Sequence, residues 1–555
     1  MAAEKNYNVA VHLPLMAARQ PDTAAVHFPH AHDSNNQPVY QTLSYRQLDQ
    51  LSNRIAAGLE SMGIGRGVRT VLMVKPSIDF FALTFALFKV GAVPILIDPG
   101  MGVKNLKVCL AEAEPEAFIG IPKAQIARLV LGWGKGTIRT LLTVGRKLFW
   151  GGTTLERLIT PFAADHPFET VQPDRNETAA ILFTSGSTGV PKGAVYSHGN
   201  FSAQVDALRD VYQIQPGEID LPTFPLFALF APALGMTSVI PEMDFTRPGS
   251  VDPEKIIAAI KRFHVTTMFG SPALIRRVGL YGEKRKIQLP TPKRAISAGA
   301  PVPAVVLERF VTMARPGVEV FTPYGATESL PVCSIGSETI LSETRFATEK
   351  GQGVCVGEPV PGIRLEIISI SDDEISQWHD DLKLPDGEIG EIVVSGAQVT
   401  RSYYNRPEST RLAKIVGKEE GLFFHRMGDL GYRDEAGRIW FCGRKAHRVV
   451  TASETCFTIP CEAIFNTHPA VFRSALVGVG DGETRRAVIC IELEEEQKKY
   501  PADRLISELK ELGQTYPITK NIGDFLIHPK FPVDIRHNAK IFREKLAVWA
   551  EEQLR

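Results

Sequence analysis

The stretch from Ile181 to Asn200, ILFTSGSTGVPKGAVYSHGN, sets Thr184, Ser185, Ser187, Thr188, Gly186, Gly189 and Lys192 between two strand-like runs. Glycines let a backbone fold close to an anion, and successive N–H groups and hydroxyls can cradle phosphate. Lys192 adds a mobile positive charge. This is not a Walker A loop. Pro191 stands where its second glycine would be, Gly193 where its Ser or Thr would be, and a strand follows where a P-loop opens a helix. The bland alternative is a Gly/Ser-rich hairpin with no ligand, but such a hairpin rarely combines all these residue types.

The chain ends with VDIRHNAKIFREKLAVW, Val533 to Trp549, where Arg536, Lys540, Arg543 and Lys545 crowd together. Asn538 reads as a helix N-cap, which puts Lys540 in the first helical turn, beside the positive pole of the macrodipole. That position is unfavourable for a cation unless an anion arrives. Between these ends lie YGATES (324–329), with a ring, a hydroxyl and a carboxylate, then SAGAPV (297–302) and HRMGDLG (425–431). Alone, YGATES would be a weak turn sequence and the Gly-Asp of HRMGDLG an Asx-turn.

Taken in their order along the chain, and over essentially its whole length, the motifs resemble those of the adenylate-forming superfamily: acyl-CoA synthetases, non-ribosomal adenylation domains and firefly luciferases. The resemblance implies an ATP site made by the loop Thr184–Gly189 and Lys192, by Gly299, Ala300 and Pro301, and by Tyr324, Gly325, Ala326 and Thr327. Tyr324 would stack on adenine, Thr327 would bond phosphate, and Asp429 and Arg444 would hold the ribose. Glu328 would hold Mg²⁺, for which a hard carboxylate oxygen is suited. Lys540 would reach in from the small domain and stabilise charge as an acyl-adenylate forms, with Thr184 and Glu328 completing the catalytic set. The fold implied is α/β: a large N-terminal adenylate-forming domain, residues 1–443, and a small mobile α+β C-terminal domain, residues 444–555.

Three departures stand out. FPLFALFAP puts Ala228 where thioester-forming members usually have histidine. The hinge position two residues after Arg444 is Ala446, and a glycine of the thiol tunnel is replaced by Ser453. The adenylation parts are kept while parts of a thioester step are not. A β-hydroxyl on the substrate could instead attack its own activated carbonyl, aided by effective molarity. FPLFALF…PALGM and DIRHNAKIFREKL resemble the β-lactone synthetases of long-chain olefin biosynthesis. That resemblance, and not the residues alone, implies the lactone step and a long-chain 2-alkyl-3-hydroxy acid as substrate. It also implies a decarboxylase and a dehydrogenase as partner enzymes. His447 and His198 are candidates for the closing base by residue type only. The alternatives are a long-chain fatty acyl-AMP ligase or acyl-CoA synthetase, and a non-catalytic acyl or nucleotide sensor. The sensor is disfavoured by the retained phosphate loop, Glu328 and Lys540.

These residues need a scaffold. The 555 residues exceed one core, so at least two domains are expected. Residues 43–64 read as an amphipathic helix, 68–75 and 92–99 as strands with a helix between, and 431–444 as a hairpin. A compact α+β pattern follows Arg444. Residues 369–391 read as a polar linker. The uncharged run 221–241 is long enough to span a membrane, but its prolines and Gly235 favour a buried, irregular segment lining an acyl pocket. Phe227, Leu229, Phe230, Met236 and Gly270 are the candidate lining. Residues 124–157 turn basic and aromatic: a surface excursion first, a peripheral membrane or partner contact second. Lys+Arg and Asp+Glu balance at 62 each, which gives no reason to expect nucleic acid binding. Seven scattered cysteines without metal-ligand spacing, and an N-terminus without a signal-peptide pattern, point to a cytoplasmic protein with reduced thiols.

Overall fold

The computed structural model describes residues 6–184, 191–224, 227–533 and 541–555. Among them, the first sheet runs Thr153–Thr154, Thr140–Thr143, Ala117–Gly120, Arg69–Met73, Val93–Leu96, Thr178–Phe183, Gly193–Ser197. Its pairs are parallel except the last, which is antiparallel and so can be joined by the short connection from Thr184 to Lys192. The second sheet runs Glu319–Phe321, Arg294–Ile296, Thr267–Phe269, Ile219–Pro222, Thr237–Val239, Ala24–His32, Pro38–Ser44.

Strand alternation in the second sheet sorts neighbours to opposite faces. Met268, Ala295 and Val320 enter a core shared with helices Pro253–Phe263, Pro272–Arg285 and Ala304–Val311. Phe269, Ile296 and Phe321 face the other way, into a core that also takes Phe80, Phe85, Phe88 and Phe201. That second core holds helix Ile78–Lys89, which is buried all round, as its continuous apolar sequence requires. The burial extends to Lys89, whose ammonium is satisfied by Asp49 Oδ1 at 2.6 Å, Ser52 Oγ at 2.8 Å and Asn53 Oδ1 at 2.5 Å. All three sit on helix Tyr45–Ser61, which Ser44 and Gln47 start with a capping box.

The uncharged run is broken into strand Ile219–Pro222, turn Phe227–Phe230, helix Ala231–Leu234 and strand Thr237–Val239. No helix among the described residues is long and apolar enough to cross a membrane. Residues 124–157 are not a surface excursion. They belong to helix Pro122–Leu131 and strand Thr140–Thr143 of the first sheet, with Trp133 and Trp150 buried. Trp150 Nε1 donates to Thr143 Oγ1 at 2.9 Å, while Val130 and Phe149 stay exposed. Nor are residues 369–391 a free linker. Trp378 is buried and stacks on Phe424 with centroids 4.1 Å apart, and Ser371 O accepts from Arg426 at 2.5 Å and Lys445 at 2.6 Å.

A third, antiparallel sheet carries strands Tyr324–Ala326, Ser329–Ser334, Phe423–Arg433 and Ile439–Arg444 among others. Beyond Arg444 a three-stranded sheet, Val471–Val479, Arg486–Leu493 and Asp524–Ile527, packs with helices Thr458–Phe465, Ala502–Gln514 and Arg543–Gln553. Among the described residues the last helix starts at Arg543 with Phe542 at its N-cap; the expected cap, Asn538, lies outside them. Arg543 pairs with both carboxylate oxygens of buried Glu462, so a buried ion pair fixes the start of the helix.

Candidate active site

A cavity of about 2330 Å³ lies along the C-terminal ends of the parallel strands, where α/β folds bind their ligands. Val74, Ile97, Ile121, Thr184, Thr223, Ser271, Ala298 and Thr322, each just beyond such a strand, contribute to its wall. The structure brings twelve of the residues expected at the nucleotide to this wall: Thr184, Lys192, Gly299, Ala300, Pro301, Tyr324, Gly325, Ala326, Thr327, Glu328, Asp429 and Arg444. Ser185, Gly186, Ser187, Thr188 and Gly189 lie outside the described residues, as do Asn538 and Lys540.

The ends of the Gly/Ser-rich loop are pinned. Thr184 N–H donates to Lys192 O at 2.9 Å, and Tyr404 N–H donates to Gly193 O at 2.8 Å. The Lys192 ammonium lies 5.2 Å from the centroid of the Tyr403 ring, a cation–π contact that holds it at the cavity.

Asp429 and Arg444 face each other across paired strands. Arg444 Nη1 is 3.0 Å from Asp429 Oδ1, yet the two are not aligned as a hydrogen bond, and Oδ1 is buried with no hydrogen-bond partner. Oδ2 accepts from the Tyr324 hydroxyl at 2.6 Å. Burial raises the Asp429 pKa, and the Arg444 cation opposes the shift. Burial, then the neighbouring Asp429, hold the Tyr324 phenol far above its ordinary value, so it remains a donor. A buried acceptor without a donor, in a cavity wall, suits a hydroxyl-bearing ligand such as ribose.

Glu328 sits on the turn between Tyr324–Ala326 and Ser329–Ser334. The turn is tight: a Cβ on Gly325 would lie 2.6 Å from Ser329 O, so only glycine fits. Glu328 Oε1 accepts from the Tyr403 hydroxyl at 2.7 Å, and Thr400 N–H donates to Glu328 O at 2.8 Å. The Tyr196 hydroxyl donates to Thr327 O. Behind this turn the buried Lys414 ammonium donates to Thr400 O. Burial pushes its pKa down to about 7, against the pull of Glu328. His425 Nδ1 lies 3.1 Å from Ala413 O, and since a carbonyl only accepts, Nδ1 carries the proton. Burial, then Lys414, keep this imidazole neutral, well below its ordinary pKa. Tyr403, Lys414 and His425 were missed in the sequence reading. A lysine inside the strand-like run AKIV was the one signal available.

At the apolar end, Phe227, Leu229 and Phe230 line the cavity, whereas Met236 and Gly270 do not. Met236 is buried in the core, its carbonyl accepting from Tyr45 OH at 2.6 Å. Gly270 N–H donates to Ile296 O at 2.9 Å, and a Cβ there would meet Ile275, Leu274 and Met268 of the helix-covered core. Of the two histidines considered as closing base, His447 lines the cavity. His198 is fully buried away from it, with no hydrogen bond at either ring nitrogen and its pKa pushed down to about 4 by burial.

This fold and this nucleotide-shaped site define an AMP-forming activating enzyme. Residues 15–404 match the model of the AMP-binding enzymes, and the chain belongs to that family. It belongs more narrowly with the olefin β-lactone synthetases. It is 50% identical over 552 residues to that of Xanthomonas campestris pv. campestris, covering 98% of both chains. It is also 50% identical to that of Stenotrophomonas maltophilia, covering 99% of this chain and 98% of the relative. Solved structures agree on the fold. The amide bond synthetase McbA from Marinactinospora thermotolerans matches with a TM-score of 0.79 at 19% identity, covering 98% of this chain and 99% of the other. ATP-bound MatB from Rhodopseudomonas palustris matches with a TM-score of 0.78 at 20% identity, covering 99% and 100%.

Proposed function

We propose that the protein activates a long-chain 2-alkyl-3-hydroxy fatty acid with ATP and closes the acyl-adenylate to a β-lactone, releasing pyrophosphate and then AMP. The observation that carries this reading is the 50% identity to olefin β-lactone synthetases over nearly the whole of both chains. The residues agree with it. Twelve of the residues expected at the nucleotide line one cavity, while Ala228, Ala446 and Ser453 stand where thioester-forming members would have a histidine, a hinge residue and a glycine.

In the first step a carboxylate oxygen attacks the α-phosphorus, and the bond to pyrophosphate breaks. Asp429, Arg444 and Tyr324 hold the nucleoside. Thr184, Lys192 and Thr327 hold the phosphates, and Lys540 stabilises the charge that develops between acid and α-phosphate. Glu328 would hold Mg²⁺, which neutralises phosphate charge. Among the described residues no cluster of three or more metal-ligating side chains exists, and Mg²⁺ is commonly bound by one or two carboxylates plus substrate phosphates. In the second step the β-hydroxyl oxygen attacks the acyl carbonyl, the C–O bond to AMP breaks, and the hydroxyl proton leaves to a base. His447 is the histidine of the pair that borders the cavity. The reading places the enzyme in the cytoplasm. A decarboxylase acting on the lactone and a dehydrogenase earlier in the sequence are its partner enzymes.

The test is a product assay with Mg-ATP and a long-chain 2-alkyl-3-hydroxy acid, with and without coenzyme A, read by NMR. A β-lactone plus AMP, unchanged by coenzyme A, is expected. An acyl-CoA, or free acyl-adenylate without lactone, would return the protein to the long-chain acyl-CoA synthetases or acyl-AMP ligases.

A further inference from the structure

Helix Pro122–Leu131 has two unlike faces. Pro122 at its start and Gly132, in the left-handed region just past its end, set its limits. Ala124, Ala127 and Leu131 pack inward on the first sheet, beside Leu106 and Trp133. Ala124, Ala127 and Trp133 also line the cavity. Ile126, Leu129 and Val130 are spaced to adjoin on one side of the helix, and all three are exposed, Val130 at 77%. A helix that only covers a core carries polar residues on that side. The loop after strand Thr140–Thr143 adds to the apolar surface. Thr143 pairs with Gly120 at the strand ends, and Val144 N–H donates to Gly120 O at 3.0 Å. A Cβ on Gly145 would lie 3.9 Å from Pro122 Cδ, so the loop leaves beside the start of the helix. In it Trp150 is buried and bonded to Thr143, while its neighbours Leu148 and Phe149 are exposed, Phe149 at 80%.

The charge around this surface has one sign. Lys123, Arg128, Lys135, Arg139, Arg146 and Lys147 stand between Ile121 and Leu155 with no Asp or Glu among them, in a chain whose charges balance overall. Lys123, Lys135, Arg139 and Arg146 are exposed. Lys123 and Arg146 lie at the N-terminal end of the helix, Lys135 and Arg139 beyond its C-terminal end, so cations flank the apolar stripe at both ends. We propose that this face docks on an anionic lipid bilayer. The apolar side chains enter the headgroup boundary and the flanking cations meet lipid phosphates. The apolar stripe alone would fit a protein partner equally well. The one-signed rim favours a surface of uniform negative charge. Docking sets the outer face of a cavity-lining helix against lipid. On the substrate reading above, the long-chain acid partitions into that same bilayer and has one helix to pass on its way in. Docking itself does not rest on that reading.

The experiment floats the full-length protein with vesicles of phosphatidylcholine, with and without phosphatidylglycerol. The protein should rise with the anionic vesicles and stay largely in solution with the neutral ones. Val130→Glu combined with Phe149→Glu should lower the fraction bound to anionic vesicles by about tenfold or more. Arg146→Glu should lower it less and weaken its dependence on phosphatidylglycerol. None of these three residues lines the cavity, and an unchanged melting temperature shows that the variants are folded. Wild-type protein that stays off anionic vesicles overturns the proposal and leaves the face to a protein partner. Equal flotation with both kinds of vesicle, or a double variant that floats as well as wild type, overturns it too. Flotation needs no substrate, so this proposal and the β-lactone reading fail separately.

Discussion

Asp429 carries two partners and is still short of one donor: Tyr324 at Oδ2, Arg444 beside Oδ1 without an aligned hydrogen bond. A buried acceptor whose one close neighbour is an unaligned cation lacks the hydrogen bond that would offset its desolvation. A ribose hydroxyl would make up the deficit. Asp429→Asn keeps the shape, turns one acceptor into a donor and removes the charge that faces Arg444. The KM for ATP, read by pyrophosphate release, should rise by roughly 10- to 100-fold, the range for a hydrogen bond to a charged group. An unchanged KM would take Asp429 out of nucleotide binding.

At the scale of elements, the segment Thr400–Asn405 explains how Glu328 and the strand Gly193–Ser197 are kept in register. Val195 N–H donates to Ser402 O and Tyr404 N–H to Gly193 O, so the segment lies against the strand that follows the loop. From there Tyr403 reaches Glu328, 75 positions away in sequence. Tyr403→Phe removes the donor and keeps the ring under Lys192. The Mg²⁺ concentration for half-maximal pyrophosphate release should rise about tenfold with little loss at saturating Mg²⁺; a fall in the saturated rate alone would mean that the hydroxyl acts in the chemical step and not through the metal. This element was illegible in the sequence because the bonds that carry it to Glu328 and to strand Gly193–Ser197 are long-range, whereas helix Tyr45–Ser61 and the paired strands Phe423–Arg433 and Ile439–Arg444 announced themselves by local periodicity and turn residues. The motifs of the nucleotide site were legible for a related reason: each is a short run of unusual residue types. The acyl lining was half legible, since Phe227 at the cavity and Met236 in the core are chemically alike and only packing separates them. Polar composition likewise hid the anchoring of residues 369–391, to which the buried Trp378 and the carbonyl of Ser371 contribute.

For the whole molecule, acid stability and domain motion follow from buried charge. Burial pushes the His198 pKa down to about 4 from its ordinary value of 6.5, which the unfolded chain keeps. Above 6.5 both states are neutral there. As pH falls from about 6.5 to about 4 the unfolded chain takes up the proton first, and up to about 3 kcal/mol of stability is lost. His198→Phe breaks no hydrogen bond. Its melting temperature relative to wild type should therefore climb as pH drops through that window; a difference that stays flat would show that His198 does not govern acid unfolding. The chain is held on both sides of Ala446, the position that the family resemblance makes a hinge. Lys445 Nζ is 2.6 Å from Ser371 O and 3.3 Å from buried Glu391, and Arg448 grips Asp372 at 2.5 and 3.4 Å. Rotation of the small domain about this point would have to break both anchors. The two differ in kind. Asp372 is 69% exposed, so its pair with Arg448 is worth about 1 kcal/mol at most and is screened by salt, whereas Glu391 is 1% exposed and shielded. Limited proteolysis across residues 445–453 separates them. Arg448→Ala should speed cleavage a few-fold at low ionic strength, an effect that disappears in about 1 M salt. Lys445→Ala should speed it at both. On the proposed function, coenzyme A should leave every rate unchanged, because closure by the substrate's own hydroxyl uses no thiol. Protection by coenzyme A would mean that the hinge turns after all, with Lys445 and Arg448 as its latch.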